Sequence, residues 1–599
     1  MPPEHFDVLV IGAGLSGIGA GYHLQTECPN KTFLILEARA VSGGTWDLFR
    51  YPGVRSDSDM YTLGYRFRPW LGQKAIADGP SILQYIRETA TAFGIDRKIR
   101  YGHRLTRASW STTDARWTVD VEITNTAEAA AGAGSSVVPG VVPGVVPGVV
   151  PGVVPGVVPG IVPGIVPGIV PSIVPGIVPS IVPSIVPSVV PNAGSNAVPG
   201  AGPSAASSAR SNVASRDAST DHAALATFTC NVLYSCMGYY DYRSGFTPDF
   251  SGMENFQGTI VHPQQWPETL DYQNKRVVVI GSGATAITLV PAMAKDAQHV
   301  TMLQRSPTYV MAQPSHDGLA QKFRAIMPES AAYAATRWKN VAFSIGSYWV
   351  ARKYPGFMKD LIVKNARRAL RDRGIMKSGS AEARQADARA VEAFDVETHF
   401  SPSYNPWDQR MCLAPDADFF RAMKSGKATV VTEVIETFTA NGVLLKSGKH
   451  LDADIIVTAT GLQLRLLSGL QLLVDGRSIK PSETMVYKGM MFSGIPNFVS
   501  AFGYTNASWT LKVDLTADYA CRLLHYMDKR GFHQCTPRQN DPTITAEPVL
   551  DFTSGYVQRA LAELPSQGSR APWRVHQNYA RDLMTIRFGK VDDGVMEFR

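Results

Sequence analysis

The chain has 599 residues and a formal net charge of +7 at pH 7, with 45% hydrophobic and 18% charged residues. This length allows several domains with sizeable cores and excludes a small module held together by disulfides. The six cysteines form no CxxC pair, so we expect free thiols, a reducing cytoplasmic compartment and no bound metal. The mild charge gives no indication of a nucleic-acid partner.

The N-terminal residues have the pattern of a dinucleotide-binding turn. An apolar strand predicted at residues 6–11 leads into a GxGxxG motif formed by Gly12, Gly14 and Gly17. Glycines at this spacing permit a tight turn and a close approach of the backbone to a diphosphate, which the start of the following helix attracts. The next strand, at 32–36, ends at Glu37, whose carboxylate can accept hydrogen bonds from ribose hydroxyls. We therefore predict a dinucleotide site at this turn.

A low-complexity segment interrupts the chain after this region. Residues 137–192 repeat a unit of the form [VI]-V-P-[GS], and Ser/Ala-rich flanks extend the segment to 126–226. Proline at every fourth position excludes a helix or a central strand, so we expect a disordered chain of recurring turns. The residues on either side, 116–123 and 228–234, alternate as strands do, which indicates a hairpin opened by the insertion. Two interpretations of the repeat remain open: a surface expansion without function, and a role in self-association.

A second strand–turn–helix pattern occurs near the middle of the chain. A strand predicted at 276–280 leads into a turn in which alanine replaces the third glycine: Gly281, Gly283 and Ala286. The following strand ends at Arg305 and Ser306, where the first site has an acid. An arginine can bind a 2′-phosphate through two hydrogen bonds, whereas a carboxylate would repel it. The second site therefore favours NADP over NAD, and the alternative is that Arg305 is only a solvated cation at a strand end.

These patterns predict an α/β fold with two Rossmann-like dinucleotide-binding domains, a helical insertion and the repeat insert. We assign three segments to the first domain: 1–125, 227–250 and 466–599. The second domain takes 251–312 and 401–465, and a helical subdomain takes 313–400. We expect no integral membrane segment, because the valine-rich repeat is full of proline. A basic amphipathic stretch at 357–364 fits core packing, and peripheral membrane contact is the alternative.

Two dinucleotide sites of different character indicate an electron relay, in which one cofactor delivers hydride and the other, a flavin, receives it. Three classes fit this arrangement: a disulfide reductase, a simple oxidase or dehydrogenase, and an oxygen-activating monooxygenase. A disulfide reductase requires two close cysteines, and the nearest pair here, Cys230 and Cys236, is poorly spaced for that chemistry.

Several long motifs resemble those of one enzyme family. The pattern FxGxxxHxxxW precedes the second turn and is formed by Phe256, Gly258, His262 and Trp266. The other motifs are GGTWDLFRYPG at 43–53, RSDSDMYTL at 55–63, YNPWDQR at 404–410, ATG at 459–461 and GYTNASWTLK at 503–512. The chain resembles the class B flavoprotein monooxygenases of the Baeyer–Villiger branch, and within it the mycobacterial group that activates the prodrug ethionamide. The resemblance covers nearly the whole chain outside 126–226 and part of the helical region near 376–392.

The resemblance implies FAD and NADPH as cofactors and O₂ and a small hydrophobic ketone as substrates. In this family NADPH reduces FAD, and a C4a-peroxyflavin then inserts one oxygen atom into the ketone to give an ester or lactone. S-oxygenation of thioethers and thioamides is also implied. The alternative functions are those of a flavin monooxygenase limited to N- or S-oxidation, an uncoupled NADPH oxidase, and a repeat-bearing interaction protein. The oligomeric state is open.

The resemblance also assigns roles to particular residues. Asp57 and Arg410 match the catalytic pair, in which the arginine stabilises negatively charged oxygen and the acid positions it beside the flavin. The FAD-binding residues that match are Gly12, Gly14, Gly17, Glu37, Gly44, Thr45, Trp46, Asp57 and Gly461. His262 and Trp266 match positions that couple NADP binding to domain rotation, with a packing histidine as the alternative.

The chain departs from the family before the catalytic arginine. Some members have a lysine there that contacts the 2′-phosphate, and this chain has Gln409. NADP selectivity then depends more on Arg305 and Ser306. The segment with Tyr504, Asn506 and Trp509 is expected to border an aromatic substrate cavity, with core packing as the alternative.

Overall fold

A computed structural model describes residues 2–124, 224–371 and 394–599. The repeat at 137–192, nearly all of the segment assigned to the insert and the region near 376–392 lie outside the described residues. The described strands are β1 (Glu4–Ile11), β2 (Phe33–Leu36), β3 (Ile99–Arg100), β4 (His103–Ser111), β5 (Arg116–Ile123), β6 (Ala224–Ser235), β7 (Thr259–Val261), β8 (Arg276–Ile280), β9 (His299–Gln304), β10 (Val310–Gln313), β11 (Cys412–Pro415), β12 (Ala428–Thr432), β13 (Ile435–Thr439), β14 (Gly442–Leu445), β15 (His450–Asp452), β16 (Ile455–Thr458), β17 (Gln471–Val474), β18 (Arg477–Ile479), β19 (Val486–Tyr487), β20 (Met491–Phe492), β21 (Phe498–Ser500), β22 (Cys535–Pro537), β23 (Ala546–Pro548), β24 (Ser566–Gly568) and β25 (Met596–Phe598).

The described α-helices are α1 (Leu15–Glu27), α2 (Thr45–Leu48), α3 (Met60–Leu63), α4 (Gly79–Ala92), α5 (Ala284–Met293), α6 (Gly318–Ile326), α7 (Glu329–Lys353), α8 (Pro355–Arg371), α9 (Val396–Phe400), α10 (Asp418–Lys424), α11 (Trp509–Arg530), α12 (Gly555–Ala560) and α13 (Tyr579–Asp582). None of these described helices combines the length and the apolar character needed to cross a lipid bilayer.

The first sheet is built around the N-terminal strand. Its order is β18-β17-β4-β5-β6-β1-β2-β3, and β21 pairs with the C-terminal end of β6. The centre of the sheet, β6-β1-β2-β3, is parallel, and Val8, Leu9 and Val10 of β1 are buried because both faces of the sheet are covered. Strands from the N-terminal segment, from β6 and from the C-terminal segment thus form one sheet.

The two strands that flank the insert pair as expected. β5 and β6 form an antiparallel ladder in which Ile123 lies opposite Ala224. The ladder therefore takes in the last three residues of the segment 126–226. The predicted strand began only at residue 228, because Ala224, Leu225 and Ala226 are compositionally like the insert, whereas the partner strand continues to Ile123 and gives them backbone hydrogen bonds.

The second sheet is fully parallel and has the order β12-β9-β8-β16-β7. Its strands come from residues on both sides of the helical region. α5 covers one face and packs against α10 and the buried side chains of β8 and β9. The predicted α/β fold with two Rossmann-like sheets is confirmed in the described residues.

The region predicted to be helical contains α6, α7 and α8. On α8 the side chains of Met358, Ile362 and Val363 are buried, as core packing requires, while Phe357 and Leu361 are 64% and 47% exposed. The amphipathic stretch at 357–364 therefore packs along one stripe and leaves two large apolar side chains in solvent.

A buried group of charged side chains joins α1 to α11. His23 is only 2% exposed, and its Nδ1 lies 2.8 Å from Glu27 Oε1 and 3.4 Å from Asp518 Oδ1. Its Nε2 lies 3.7 Å from Asp514 Oδ1. Burial opposes protonation of the ring, but the carboxylates of Asp514 and Glu27 outweigh it and raise the pKa of His23 to about 9. The two aspartates are also paired with arginines, which are Arg66, Arg337 and Arg587.

We expect this histidine to make the stability of the protein fall with rising pH. The pKa of His23 is about 9 in the folded chain and about 6.5 in the unfolded chain. The stabilisation is therefore complete below pH 6.5 and is lost as the pH rises through about 9, to the extent of roughly 3 kcal/mol. Denaturant unfolding at a series of pH values measures this fall, and His23→Gln should flatten it. An equal pH dependence in both proteins would contradict the assignment.

Candidate active site

The first glycine turn has a backbone that only glycine can adopt without strain. β1 ends at Ile11 and α1 begins at Leu15, with Gly14 at its N-cap. Gly12 has φ = 103°, and a Cβ on Gly17 would lie 1.8 Å from the carbonyl oxygen of Gly12. The turn is therefore as tight as the GxGxxG motif predicts, and the first N–H groups of α1 are available to an anion.

Glu37 connects the end of β2 to this turn. Its Oε2 accepts a hydrogen bond from the Ala13 N–H at 2.7 Å, and its Oε1 accepts one from the Arg39 N–H at 2.9 Å. Burial raises the pKa of this carboxyl group, although the two backbone donors oppose the shift. Glu37 thus fixes the glycine turn and lines the cavity beside it, where a ribose was expected.

The segment at 43–47 closes over the first turn. Gly44 has φ = 54°, and a Cβ there would lie 3.1 Å from the Cα of Gly14. Thr45 and Trp46 follow in α2 and line the same cavity. Asp47 is 1% exposed, and its carboxylate forms ion pairs with Arg39 at 2.5 Å and Arg87 at 2.8 Å. This anchoring acid was missed in the sequence, where its partners are not adjacent to it.

The second glycine turn is formed by the end of β8 and the start of α5. Gly281 has φ = 135°, and a Cβ there would lie 2.2 Å from the carbonyl oxygen of Ala459. Gly283 is the N-cap of α5 and has open space around its Cα, whereas Ala286 is buried inside the domain. The Ala459–Gly461 motif therefore packs on the second turn.

Arg305 and Ser306 lie directly after β9, at the C-terminal edge of the second sheet. Both are exposed and both line the cavity. Arg305 has no carboxylate within ion-pair distance among the described residues, so its guanidinium is available to a ligand. Gln409 lines the same cavity and its Nε2 donates a long hydrogen bond of 3.4 Å to Thr553 Oγ1.

Arg410 and Asp57 form an ion pair although 353 positions separate them. Arg410 Nη1 donates to Asp57 Oδ2 at 2.9 Å, and the two side chains are 37% and 49% exposed, with that surface facing the cavity. Desolvation lowers the pKa of Arg410, but Asp57 and the nearby hydroxyl groups of Tyr239 and Tyr556 raise it further than desolvation lowers it. The guanidinium is therefore a permanent positive charge on the cavity wall.

Aromatic side chains surround this ion pair. Tyr239 stacks on Trp509 with ring centroids 5.1 Å apart, and it contacts Tyr240 at 4.2 Å. Trp509 Nε1 donates to Ser16 Oγ at 2.9 Å, which attaches the start of α11 to the first glycine turn. Tyr239 and Tyr240 were missed in the sequence because neither belongs to a spaced motif.

Tyr504, Asn506 and Trp509 were expected to border the cavity, and two of the three do so. Tyr504 and Trp509 line the cavity. Asn506 does not line it, because its Nδ2 donates to the carbonyl oxygen of Gln577 at 2.8 Å and the side chain is buried. The bordering role expected of Asn506 is therefore wrong, since the amide is turned towards the C-terminal segment.

The FxGxxxHxxxW residues flank β7, the edge strand of the second sheet, and none of them lines the cavity. His262 Nδ1 accepts a hydrogen bond from the Gln264 N–H at 3.1 Å, and Nε2 lies 3.1 Å from the carbonyl oxygen of Gly461, to which it can donate. Burial lowers the pKa of His262, in agreement with a neutral ring in that tautomer. Phe256 packs in the core of the second domain, Gly258 lies against the Asp454 carbonyl group, and Trp266 is partly buried beside α5.

His262 also holds together the two chain segments that link the sheets. The first segment follows β6 and the second follows β16. Their backbones are paired, since Asp241 N–H donates to Gln463 O at 2.9 Å and Phe246 N–H donates to Gly461 O at 3.0 Å. A Cβ on Gly245 would lie 1.8 Å from the His262 ring, so the ring packs directly on the first segment.

One cavity of about 1180 Å³ joins the two glycine turns. Its lining brings together most of the residues singled out in the sequence, which are Gly12, Gly14, Glu37, Gly44, Thr45, Trp46, Asp57, Gly281, Gly283, Arg305, Ser306, Arg410 and Gly461. Gly17 and Ala286 support the turns from behind. The first turn fits FAD, because Gly12, Gly14 and the first residues of α1 line the cavity, where the helix N-terminus can meet a diphosphate, and Glu37 supplies an acceptor.

Comparisons with known proteins agree with this architecture. Residues 10–69 match the family profile of the NAD(P)-binding Rossmann-like domain, and residues 202–330 match the flavin-binding monooxygenase-like family. The chain is 44% identical to the FAD-containing monooxygenase EthA of Mycobacterium tuberculosis, over 99% of this chain and 98% of the relative. It is 38% identical to the probable FAD-binding monooxygenase AlmA of Acinetobacter baylyi, over 99% and 96% of the two chains.

Two solved structures show the same fold at low identity. A steroid monooxygenase bound to NADP aligns with a TM-score of 0.61 at 19% identity, over 99% of each chain. An open structure of cyclohexanone monooxygenase aligns with a TM-score of 0.61 at 16% identity, over 100% of each chain. The predicted class, a flavoprotein monooxygenase with FAD and a nicotinamide dinucleotide, is confirmed. The chain belongs to the family of FAD-containing flavoprotein monooxygenases.

Proposed function

We propose that this protein is an NADPH-dependent Baeyer–Villiger monooxygenase, which inserts one oxygen atom of O₂ into a ketone to give an ester or lactone. The observation that carries the proposal is the Arg410–Asp57 ion pair on the wall of a cavity that joins two glycine turns. A flavin site alone would fit an oxidase. A second dinucleotide turn and a fixed cation in the same cavity fit a monooxygenase better.

Residues of the first domain hold the flavin in this proposal. The glycine turn and the N-terminus of α1 bind the diphosphate of FAD, Glu37 accepts from a ribose hydroxyl group, and Thr45 and Trp46 close the site. When bound, FAD accepts hydride from the nicotinamide and activates O₂. The chain's own contribution is to position the two cofactors in one cavity and to keep water out.

Arg410 supplies a fixed positive charge where oxygen is negatively charged during the reaction. A guanidinium remains protonated at any relevant pH and offers several N–H donors. Asp57 holds it in place through the 2.9 Å contact. The stacked rings of Tyr239 and Trp509 line the same cavity, and in this proposal they keep water from the reacting groups, which strengthens the electrostatic effect of the cation.

The aromatic lining favours hydrophobic ketones and aryl substrates. Cyclohexanone monooxygenase and steroid monooxygenase share the fold, and their names support a cyclic or polycyclic ketone as the substrate.

Oxygenation of thioethers and thioamides is a second activity that the same cavity can accommodate. Mass spectrometry of products from a ketone panel, with purified protein and NADPH, tests the proposal. Ester formation supports it, whereas oxidation of sulfur or nitrogen compounds alone would support the narrower monooxygenase.

The domain organisation belongs to the proposal as well. The first sheet and its helices form the FAD domain, the second sheet forms the NADP domain, and α6 to α8 form the helical subdomain. His262 couples the two domains, because it bonds to Gly461 of one linking segment and packs on Gly245 of the other.

The proposed preference for NADPH depends on Arg305. Arg305→Ala should raise KM for NADPH about tenfold to a hundredfold and leave KM for NADH nearly unchanged, because a charged hydrogen-bonded contact to the 2′-phosphate is lost. Steady-state kinetics with both nucleotides measure the two effects. Equal changes in both KM values would show that Arg305 has no role in recognising the phosphate.

A further inference from the structure

A second arginine on the cavity wall has no partner for its charge. Among the described residues, seven arginines line the cavity, and five of them form ion pairs with carboxylates: Arg39, Arg55, Arg104, Arg243 and Arg410. The other two are Arg305 and Arg559. Arg305 already has a proposed ligand, the 2′-phosphate of NADPH, and Arg559 has none.

Arg559 is held in position without an acid. Its guanidinium lies over the ring of Phe246, with the central carbon 3.5 Å from the ring centroid. The ring belongs to the first linking segment, so the stack places the cation beside the junction of the two domains. Desolvation lowers the pKa of Arg559, although the group remains protonated at any physiological pH. A positive charge kept in a cavity wall without a counter-ion is available to an anionic ligand.

An unused hydroxyl group accompanies this cation. Ser554 precedes α12, lines the same cavity and is 8% exposed, and its Oγ makes no hydrogen bond in the described residues. A buried hydroxyl group without a partner costs stability unless a ligand or water satisfies it. Ser554 and Arg559 therefore form a pair of donors, like Ser306 and Arg305 at the other site.

The position of the pair indicates which anion it meets. A Cβ on Gly461 would lie 3.9 Å from Arg559 Nη2, and the motif that contains Gly461 packs on Gly281 of the second turn through Ala459. Tyr556, on the same helix as Arg559, lines the cavity together with Arg410. Across the carboxyl edge of the second sheet the order is thus Arg305 after β9, the second glycine turn after β8, and the Ala459–Gly461 segment after β16, beside which Arg559 lies.

We propose that Arg559 and Ser554 bind the diphosphate of the nicotinamide dinucleotide from the side opposite the second glycine turn. With the 2′-phosphate at Arg305, a dinucleotide that extends towards Arg410 has its diphosphate between α5 and α12. The N-terminus of α5 and the Arg559 guanidinium then neutralise its two negative charges together. This inference rests on the proposed use of NADPH and adds a contact from the C-terminal segment to it.

Equilibrium binding to the FAD-loaded full-length protein, without turnover, tests the assignment. Arg559→Ala should weaken NADP⁺ and NAD⁺ equally, by about tenfold to a hundredfold, since both carry the diphosphate. Binding of 2′-AMP, which has only the 2′-phosphate, should change less than about twofold. Arg305→Ala should give the reverse result, with NADP⁺ and 2′-AMP weakened and NAD⁺ nearly unchanged. Arg574→Ala, which removes a cation of the same segment outside the cavity lining, is the matched control.

The outcomes separate this inference from the proposed function. Unchanged affinity for both dinucleotides in Arg559→Ala, or an equal loss for 2′-AMP, overturns the diphosphate contact. If Arg305→Ala still weakens NADP⁺ in that case, the proposed use of NADPH stands. Failure of the wild-type protein to bind NADP⁺ would overturn both. Arg559→Gln, which keeps a side chain over Phe246, replaces the alanine variant if the latter loses FAD.

Discussion

Arg410→Ala is expected to lower the rate of ester formation about a hundredfold to a thousandfold while NADPH oxidation continues. The cation on the cavity wall is lost, and the remaining Asp57 carboxylate adds a negative charge where negatively charged oxygen must be held. Reducing equivalents from NADPH should then appear as hydrogen peroxide. Parallel measurement of NADPH consumption, peroxide and ester in the same reaction tests this expectation.

Two further variants separate the charge of Arg410 from its geometry. Arg410→Lys keeps the charge but loses the paired donors, so we expect an intermediate loss of ester. Asp57→Asn keeps a hydrogen-bond acceptor near Arg410 but removes the countercharge, so positioning should suffer while the cation remains. Ester yield per NADPH that is equal in Arg410→Ala and the wild type would show that this ion pair is structural.

Gly17→Ala is expected to abolish retention of FAD. The new Cβ would lie 1.8 Å from the carbonyl oxygen of Gly12, and the backbone of both residues would have to move. The cost is about 3 kcal/mol, which corresponds to roughly a hundredfold weaker binding if the distortion is confined to the turn. Flavin absorbance of the purified protein, before and after incubation with FAD, measures the effect.

Gly346→Ala is the matched control for the glycine variant. Gly346 lies in the middle of α7, and a Cβ there would meet no atom within 4 Å. The substitution adds the same methyl group to a helix, where alanine is favoured over glycine by about 1 kcal/mol. Full flavin content in Gly346→Ala and none in Gly17→Ala is the expected pair of results. Full flavin content in both would mean that the first turn does not hold the cofactor.

Local patterns predicted the two glycine turns well. The strand before each turn, the turn glycines and the helix after it are close in sequence, and Glu37 follows at the spacing that a βαβ unit requires. The hairpin interrupted by the insert was also visible, because β5 and β6 alternate independently of the residues between them.

The proposed catalytic pair could not be derived from spacing. Asp57 and Arg410 are 353 positions apart, and only the resemblance to a family put them together. The same holds for β21, a three-residue strand that joins the first sheet because Phe498 and Val499 pair with β6. Tyr239, Asp47 and Arg559 depend on contacts between distant segments, so no local pattern indicated them.

In the proposed reaction the bound flavin, NADPH and the Arg410 side chain together transfer oxygen from O₂ to a carbonyl compound. The most direct test is to supply ¹⁸O₂ to the FAD-loaded protein with NADPH and a cyclic ketone, and to analyse the product by mass spectrometry. Oxygen transfer of this kind gives a lactone that carries a single ¹⁸O atom, formed in equal amount to the NADPH consumed. Unchanged ketone, with labelled peroxide equal to the NADPH consumed, would contradict it.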